Sequence, residues 1–400
     1  MTISFYLLMM LCLYGTMKIV KIISIHKKIK SPIFEGKLDN SFFIIIPIYK
    51  EQLRYKQCIE AMEKLKYPKD KVTVVFSCTA KEKEEPTTKS LIQRYLEEHE
   101  TKFEYKIIEY PGNGGSMAEQ VNYAYKTTLQ NEDVVVIYNA DSVPDPLSLV
   151  AADQKFSDKK INVVQQPIYF FNNMNKNIFS VGYSFHQTIF DMTINMWNSL
   201  FLNGTQVTGR GLFLRSSYVG DEIFKEQFFC EDIALSSSLV SEGQKIISLP
   251  LFENNESPPS LKDIIRQHSV WFSTASDIPG LYKMLSKHEG TKSGFMHLKL
   301  IEQAYKSIIW LVAAPFLWTM IILHPITLVF IYSYCLVSVA LLKFKFNFPI
   351  NKSNIFIAAF SFTLFLLVLN FGPILAVYKS VAARLKFKTK NEKYKTSRGS

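Results

Sequence analysis

Val134-Val135-Val136-Ile137-Tyr138-Asn139-Ala140-Asp141-Ser142-Val143-Pro144-Asp145-Pro146 is the stretch on which the fold turns. Its opening run is β-branched and apolar with no alternation. That predicts a strand buried on both faces, as in the middle of a parallel sheet. The strand is expected to stop at Asn139 and Asp141, with Pro144 and Pro146 preventing its continuation. In open α/β sheets ligands sit at the carboxyl ends of strands. A carboxylate held there suits a hard divalent cation carrying a diphosphate. The alternative is a plain strand-to-turn junction, with Asp141 as a turn former.

Upstream, Phe42 to Ile48 reads as a second buried strand, followed by Tyr49-Lys50-Glu51. Gln52 to Leu65 has helical spacing, Val72 to Phe76 is a third strand, Ser90 to Glu98 a helix, and Phe103 to Glu109 another strand. Tyr110 to Ser116 is a glycine-rich loop opening a helix from Met117 to Leu129, where backbone N–H groups could meet phosphate. Alternating strands and helices predict an α/β fold with a doubly wound, mostly parallel sheet.

Downstream, Ile161 to Gln166 reads as a strand and Ile178 to Leu202 as aromatic helix. In Thr208 to Arg215, Gly209 and Gly211 beside Arg210 let the backbone approach a ligand closely. Phe228-Phe229-Cys230-Glu231-Asp232 leads into a helix from Ile233 to Glu242, ending at Gly243. A further helix carries Arg266-Gln267-His268-Ser269-Val270-Trp271.

The chain of 400 residues carries a formal charge of +11, yet 48% of it is hydrophobic. A basic, apolar chain points to a membrane protein with a basic cytoplasmic face. Nucleic-acid binding fits poorly, because the positive charge clusters beside apolar segments. Cys12, Cys58, Cys78, Cys230 and Cys335 show no CxxC spacing, so neither a zinc site nor a disulfide framework is expected and a reducing compartment fits. Ile3 to Ile25 is apolar and followed by Lys27, Lys28 and Lys30, as in a signal anchor whose following domain is cytoplasmic. A purely interfacial helix is the alternative there. Ile308 to Leu323 and Ile326 to Leu342 read as a tight hairpin about His324-Pro325, and Asn354 to Tyr378 is a third apolar run. The basic tail from Lys379 belongs in the cytoplasm, but three full spans would put it outside. One run must then be re-entrant or interfacial, or the tail breaks the rule.

These motifs, in this order, resemble the membrane-embedded family 2 glycosyltransferases, the group of the cellulose, chitin and hyaluronan synthases. Ile46-Pro47-Ile48-Tyr49-Lys50-Glu51 resembles the family's opening strand and Glu turn, and Asn139-Ala140-Asp141 its DxD metal motif. Glu231-Asp232 resembles the acidic pair that carries the base, and Gln267 to Trp271 the QxxRW motif of the acceptor channel. The resemblance implies a GT-A-like fold with N-terminal and C-terminal transmembrane helices. It places donor contacts at Pro47, Tyr49, Glu51, Glu82, Asn139 and Asp141, and acceptor contacts at Gly209, Arg210, Gln267 and Trp271. Asp141 would hold Mg²⁺ or Mn²⁺, and Asp232 would act as base with Glu231 beside it. The implied divisions are an N-terminal anchor (1–26), a cytoplasmic catalytic domain (27–275), an interfacial helix region (276–305), transmembrane helices (306–378) and a basic cytoplasmic tail (379–400).

The pattern departs from the family at four places. Ser77 to Glu82 lacks the two aspartates that hold uridine, Met117 stands for a lysine, Asn139 for the first DxD aspartate, and Val270 for the QxxRW arginine. The expected function is inverting transfer from a nucleotide-diphospho-sugar, UDP-linked by the resemblance. The acceptor would be lipid-linked or a polysaccharide at the inner membrane, in cell-surface glycan synthesis, with membrane lipids as partners and no nucleic acid. The alternatives are a processive synthase and a catalytically inactive glycosyltransferase-like membrane protein.

Overall fold

The computed structural model describes residues 2–29, 37–111, 114–129, 131–202, 206–228, 230–286 and 293–384. Gly112 and Asn113 of the glycine loop, Phe229 and the tail from 385 lie outside the described residues. In chain order the elements begin α1 (Thr2–Lys28), β1 (Phe42–Pro47), α2 (Tyr55–Glu63), β2 (Val72–Thr79), α3 (Thr88–Glu98) and β3 (Glu104–Tyr110). Next come α4 (Met117–Thr128), β4 (Val134–Ile137), β5 (Val143–Pro144), α5 (Ser148–Phe156), β6 (Val163–Gln165), β7 (Ile168–Phe170), α6 (Ile178–Phe190) and α7 (Trp197–Leu202). Then follow β8 (Leu212–Arg215), α8 (Glu231–Ser241), β9 (Ile246–Ser248), β10 (Glu253–Asn255), α9 (Leu261–Phe272) and α10 (Ile278–Leu285). The last four are α11 (Ser293–Leu323), α12 (Ile326–Phe346), α13 (Ile355–Val368) and α14 (Phe371–Arg384). The chain divides into two units, one of 30–169 with 198–255 and one of 1–29, 170–197 and 256–400.

The first unit is built on a seven-stranded sheet in the order β3-β2-β1-β4-β8-β6-β9. β1, β2, β3 and β4 run parallel, as do β6 and β9; β8 is antiparallel to both its neighbours. The continuous apolar runs are buried on both faces, as expected for central parallel strands. Phe42, Ile44, Ile46, Val74, Phe76, Val134 and Val136 pack into one core with α2 and α5. Their alternates Phe43, Ile45, Val75, Val135 and Ile137 pack into another with α4. The α4 start is fixed by a capping box, in which Ser116 Oγ accepts from the Glu119 N–H and the Glu119 carboxylate accepts from the Ser116 N–H at 2.7 Å.

Two sequence expectations are refined. β4 ends at Ile137, and Pro144 does not simply end a strand: with Val143 it forms β5 in a second sheet, ordered β5-β10-β7. The end of the glycine–arginine stretch is a strand, β8, inserted between β4 and β6.

In the second unit α6 packs on α13, α9 on α14, and α1 on α12. Among the described residues four stretches are long and apolar enough to cross a membrane: Phe5–Lys28, Ala304–Leu323, Ile326–Phe346 and Lys352–Ala382. The last is broken. α13 and α14 have 14 residues each and meet at Leu369-Asn370. Each is about 21 Å long, short of a bilayer core. The carbonyls at the break are satisfied from α11: Trp310 Nε1–H donates to Leu369 O at 3.1 Å and Trp318 Nε1–H to Leu367 O at 3.0 Å.

Candidate active site

The carboxyl ends of β1, β2 and β4 converge on three loops of the first unit. After β1 the chain turns sharply, with Lys50 in the left-handed region at φ 56°. The turn is fastened by Glu82, a buried residue after β2. Its carboxylate accepts from Gln52 Nε2–H at 2.7 Å, from the Thr88 N–H at 3.0 Å, from Thr88 Oγ1–H at 2.8 Å and from the Lys50 N–H at 3.3 Å. Thr88 Oγ1 in turn accepts from the Glu51 N–H at 2.8 Å. Glu82 therefore clamps the loop that carries Tyr49 and Glu51. The half-buried Tyr49 ring faces two cations, Lys50 Nζ at 5.8 Å and Lys81 Nζ at 5.6 Å from its centroid.

The β4 turn is held from within. Ser142 Oγ accepts from the Asn139 N–H at 2.9 Å, and the Ser142 N–H donates to Asn139 O at 3.0 Å. Asp141 is thereby fixed at the end of the strand, and only 9% of its surface is exposed. Its Oδ2 lies 4.0 Å from Nη1 of Arg210, itself buried.

Arg210 reaches that position because the Thr208–Gly211 loop is organised by Gln165 on β6. Gln165 Nε2–H donates to Arg210 O at 2.9 Å and to Gly211 O at 3.1 Å, and its Oε1 accepts from the Thr208 N–H at 2.9 Å. Gly211 has φ +57°, and a Cβ there would lie 2.5 Å from Glu253 Oε2. A Cβ on Gly209 would lie 2.6 Å from the Met117 methyl and 4.0 Å from Asp232 Cβ. One loop thus has Asp141 beside Arg210 and Asp232 beside Gly209. Arg215 is structural: its guanidinium donates to the carbonyls of Phe156, Ile161 and Asp158.

α8 starts at Glu231, with both acids of the pair in its first turn. Their carboxylates gain from the helix dipole. Glu231 is buried and Asp232 half-buried, as the turn of about 100° per residue requires. Asp232 Oδ1 accepts from the Ile233 N–H at 2.8 Å.

Glu253 on β10 was not anticipated. It is fully buried, accepts from Ser142 Oγ–H and from Asn255 Nδ2–H at 2.7 Å, and its Oε2 has no hydrogen-bond partner among the described residues. Burial pushes its carboxyl up to about 7, against the pull of Arg210 and of those two hydrogen bonds, while Asp141 adds to the rise. Asn255 Oδ1 accepts from Arg210 Nη1–H at 3.4 Å.

The two predicted acceptor residues on α9 belong to the second unit. Gln267 is buried and accepts from Tyr183 Oη–H at 2.7 Å. Trp271 is half-buried, with its ring centroid 5.5 Å from that of His268.

A mostly parallel mixed sheet, with an aspartate at the end of its central strand and an acidic pair opening a helix, is a GT-A-like arrangement. The model of the family described as "Glycosyl transferase family group 2" matches residues 134–375, and the chain belongs to that family. It is similar to the probable glycosyltransferase YdaM of Bacillus subtilis (strain 168), with 24% identity over 107 residues. That match covers 26% of this chain and 24% of the relative, so the chain spans about a quarter of that protein. Among solved structures it resembles the mannosyltransferase PcManGT from Pyrobaculum calidifontis, in complex with GDP-Man and Mn2+. The TM-score is 0.51, with 15% identity over 93% of this chain and 99% of the other, a likeness of fold. Residues 1–349 of S. aureus TarS align at a TM-score of 0.42, with 11% identity over 90% of this chain and 95% of that one.

Proposed function

We propose that this glycosyltransferase carries out inverting transfer of a sugar from a nucleotide-diphospho-sugar to a lipid-linked or polysaccharide acceptor at the cytoplasmic membrane. The supporting observation is the Thr208–Gly211 loop, which has Asp141 beside Arg210 and the base candidate Asp232 beside Gly209. Departure of the nucleotide leaves a diphosphate, and its negative charge needs positive charge nearby. Arg210 is positioned to supply part of it. Among the described residues no three His, Cys, Asp or Glu side chains could surround a metal. Asp141 alone, with phosphate oxygens completing the shell, matches how Mg²⁺ is held beside nucleotides. The residues therefore fit a cation that arrives with the donor, and Mn²⁺ accompanies GDP-Man in the PcManGT structure. When bound, the cation would act as a Lewis acid on the diphosphate.

Asp232 would accept the proton of the attacking hydroxyl. Displacement by that hydroxyl from the face opposite the nucleotide inverts the anomeric centre. Pro47, Tyr49 and Glu51, on the loop that Glu82 holds, would meet the donor together with Asn139 on the β4 turn. Gln267 and Trp271 are assigned to the acceptor, Trp271 by its aromatic face. The PcManGT structure holds GDP-Man, so the donor panel includes it beside UDP-linked sugars.

The break between α13 and α14 suggests a topology. With α1, α11 and α12 as spans and α13–α14 re-entrant, the first unit and the basic tail share the cytoplasmic face. Lys343 and Lys345, in the last turn of α12, fall on that face too. The enzymatic test is nucleotide release from a panel of nucleotide sugars by the purified chain with Mn²⁺ and membrane lipid extract. Release of one nucleotide that depends on lipid supports the reading; release of none overturns it.

A further inference from the structure

We infer that Glu253 is a positioning residue for the transfer reaction, tying the Asp141 turn to the Arg210 guanidinium and setting the spacing of that charge pair before substrate arrives. The inference rests on the reading of Asp141 as the residue that meets the cation.

The connection can be followed bond by bond. The Asn139 N–H donates to Ser142 Oγ, and Ser142 Oγ–H donates to Glu253 Oε1. The same oxygen accepts from Asn255 Nδ2–H, and Asn255 Oδ1 accepts from Arg210 Nη1–H. Arg210 Nη1 then faces Asp141 Oδ2 at 4.0 Å, which brings the chain of contacts back to the turn it left. The backbone brings Glu253 there by pairing β10 with β5, Glu253 opposite Pro144 and Asn254 opposite Val143.

Packing alone does not account for a glutamate here. The side chain is fully buried and one oxygen has no hydrogen-bond partner among the described residues. Such a group is costly to bury, and an apolar side chain of similar size would avoid the cost. A carboxylate oxygen, however, accepts two donors at once and so joins the two arms. The unpartnered Oε2 lies against Gly211, where a side chain would collide with it, so the loop carrying Arg210 is shaped to admit Glu253. Groups that hold metal ligands and their neighbours in place change metal affinity by about 10- to 100-fold when removed.

The test uses the full chain in detergent and Mn²⁺ itself, titrated with UDP or with GDP and read as free Mn²⁺ by electron paramagnetic resonance. Thermal unfolding of each preparation reports folding. Glu253→Ala and Asn255→Ala should each weaken nucleotide-dependent Mn²⁺ binding by about tenfold while remaining folded at the assay temperature. Glu253→Gln keeps an oxygen that accepts from both donors and should stay nearer wild type than Glu253→Ala. Combining Glu253→Ala with Asn255→Ala should cost less than the two losses added, because both interrupt the same link to Arg210. Folded Glu253→Ala with wild-type Mn²⁺ affinity, alongside loss of binding in Asp141→Ala, overturns the role of Glu253 and leaves the site standing. If Asp141→Ala keeps the affinity, or wild type shows none, the site reading fails and takes this inference with it.

Discussion

Nη1 of Arg210 lies 4.0 Å from Oδ2 of Asp141, and both side chains are withdrawn from solvent. A cation approaching Asp141 meets a carboxylate already shared with a guanidinium, so a donor diphosphate completes the charge balance. Asp141→Ala should abolish transfer while the protein stays folded, because it removes a ligand and little packing. Asn139→Ala should be milder, since the Asn139 contact that holds the turn comes from its backbone N–H. Transfer assays across a Mn²⁺ series check both; near-normal turnover of Asp141→Ala in saturating metal would remove Asp141 from the site.

The two glycines of the same loop should behave differently. Gly211→Ala places a Cβ 2.5 Å from the Glu253 carboxylate at φ +57°, where a side chain costs about 1–2 kcal/mol before any clash is counted. Gly209→Ala meets the end methyl of Met117 at 2.6 Å, which can swing aside, and Asp232 Cβ at an ordinary contact distance of 4.0 Å. Thermal unfolding should show a clear loss for Gly211→Ala and little for Gly209→Ala.

Much of this unit was legible in the sequence. Phe42 to Ile48, Val72 to Phe76 and Val134 to Tyr138 are unbroken apolar runs, and buried parallel strands are what such runs form. The acidic pair at the start of α8 was legible because a helix N-terminus favours acids. Glu253 was not. It sits in Phe252-Glu253-Asn254-Asn255-Glu256, with no periodic pattern, and its burial follows from pairing with a two-residue strand more than a hundred positions earlier. β8 was hidden for a similar reason: Leu212 to Arg215 is four residues long, and its place between β4 and β6 is a tertiary fact. The break at Asn370 to Pro373 could be seen, but not the indole N–H groups of α11 that satisfy it.

Glu253 also gives the protein a pH signature. Its folded-state carboxyl titrates at about 7, above the ordinary 4.5. The folded state therefore binds more protons between those values, and this group's contribution to stability is fully present below about 4.5 and lost as pH rises through 7. The loss is on the order of 3 kcal/mol. Glu253→Gln cannot ionise, so its unfolding temperature relative to wild type should rise between pH 5 and pH 8. A difference that stays flat across that range would mean the carboxyl is not held protonated by burial.

Val270 bears on the product. Where the QxxRW motif carries an arginine, valine offers neither charge nor a hydrogen-bond donor. Products should carry one or a few added sugars even with excess donor. Size analysis of the reaction product decides it, and a ladder of dozens of sugars would restore the processive synthase.

The acidic pair of α8 supplies the most direct test of the chemistry. Glu231 is buried and Asp232 half-buried, and Asp232 Cβ lies beside Gly209, so Asp232 is the better exposed of the two. The helix N-terminus favours the anion, which keeps a base ready at neutral pH. Asp232 Oδ1 accepts from the Ile233 N–H at 2.8 Å, which helps to fix the carboxylate. Asp232→Asn keeps size and hydrogen bonding but cannot accept a proton, and general base catalysis is worth ~10²–10⁴-fold. The variant should therefore bind nucleotide sugar with near-normal affinity while losing at least about two orders of magnitude in transfer rate. Glu231→Gln should lose less, through displacement of the helix start. Calorimetry with the donor and a single-turnover rate on the same preparations separate the two effects. Wild-type turnover in Asp232→Asn, or a larger loss in Glu231→Gln, would move the base elsewhere.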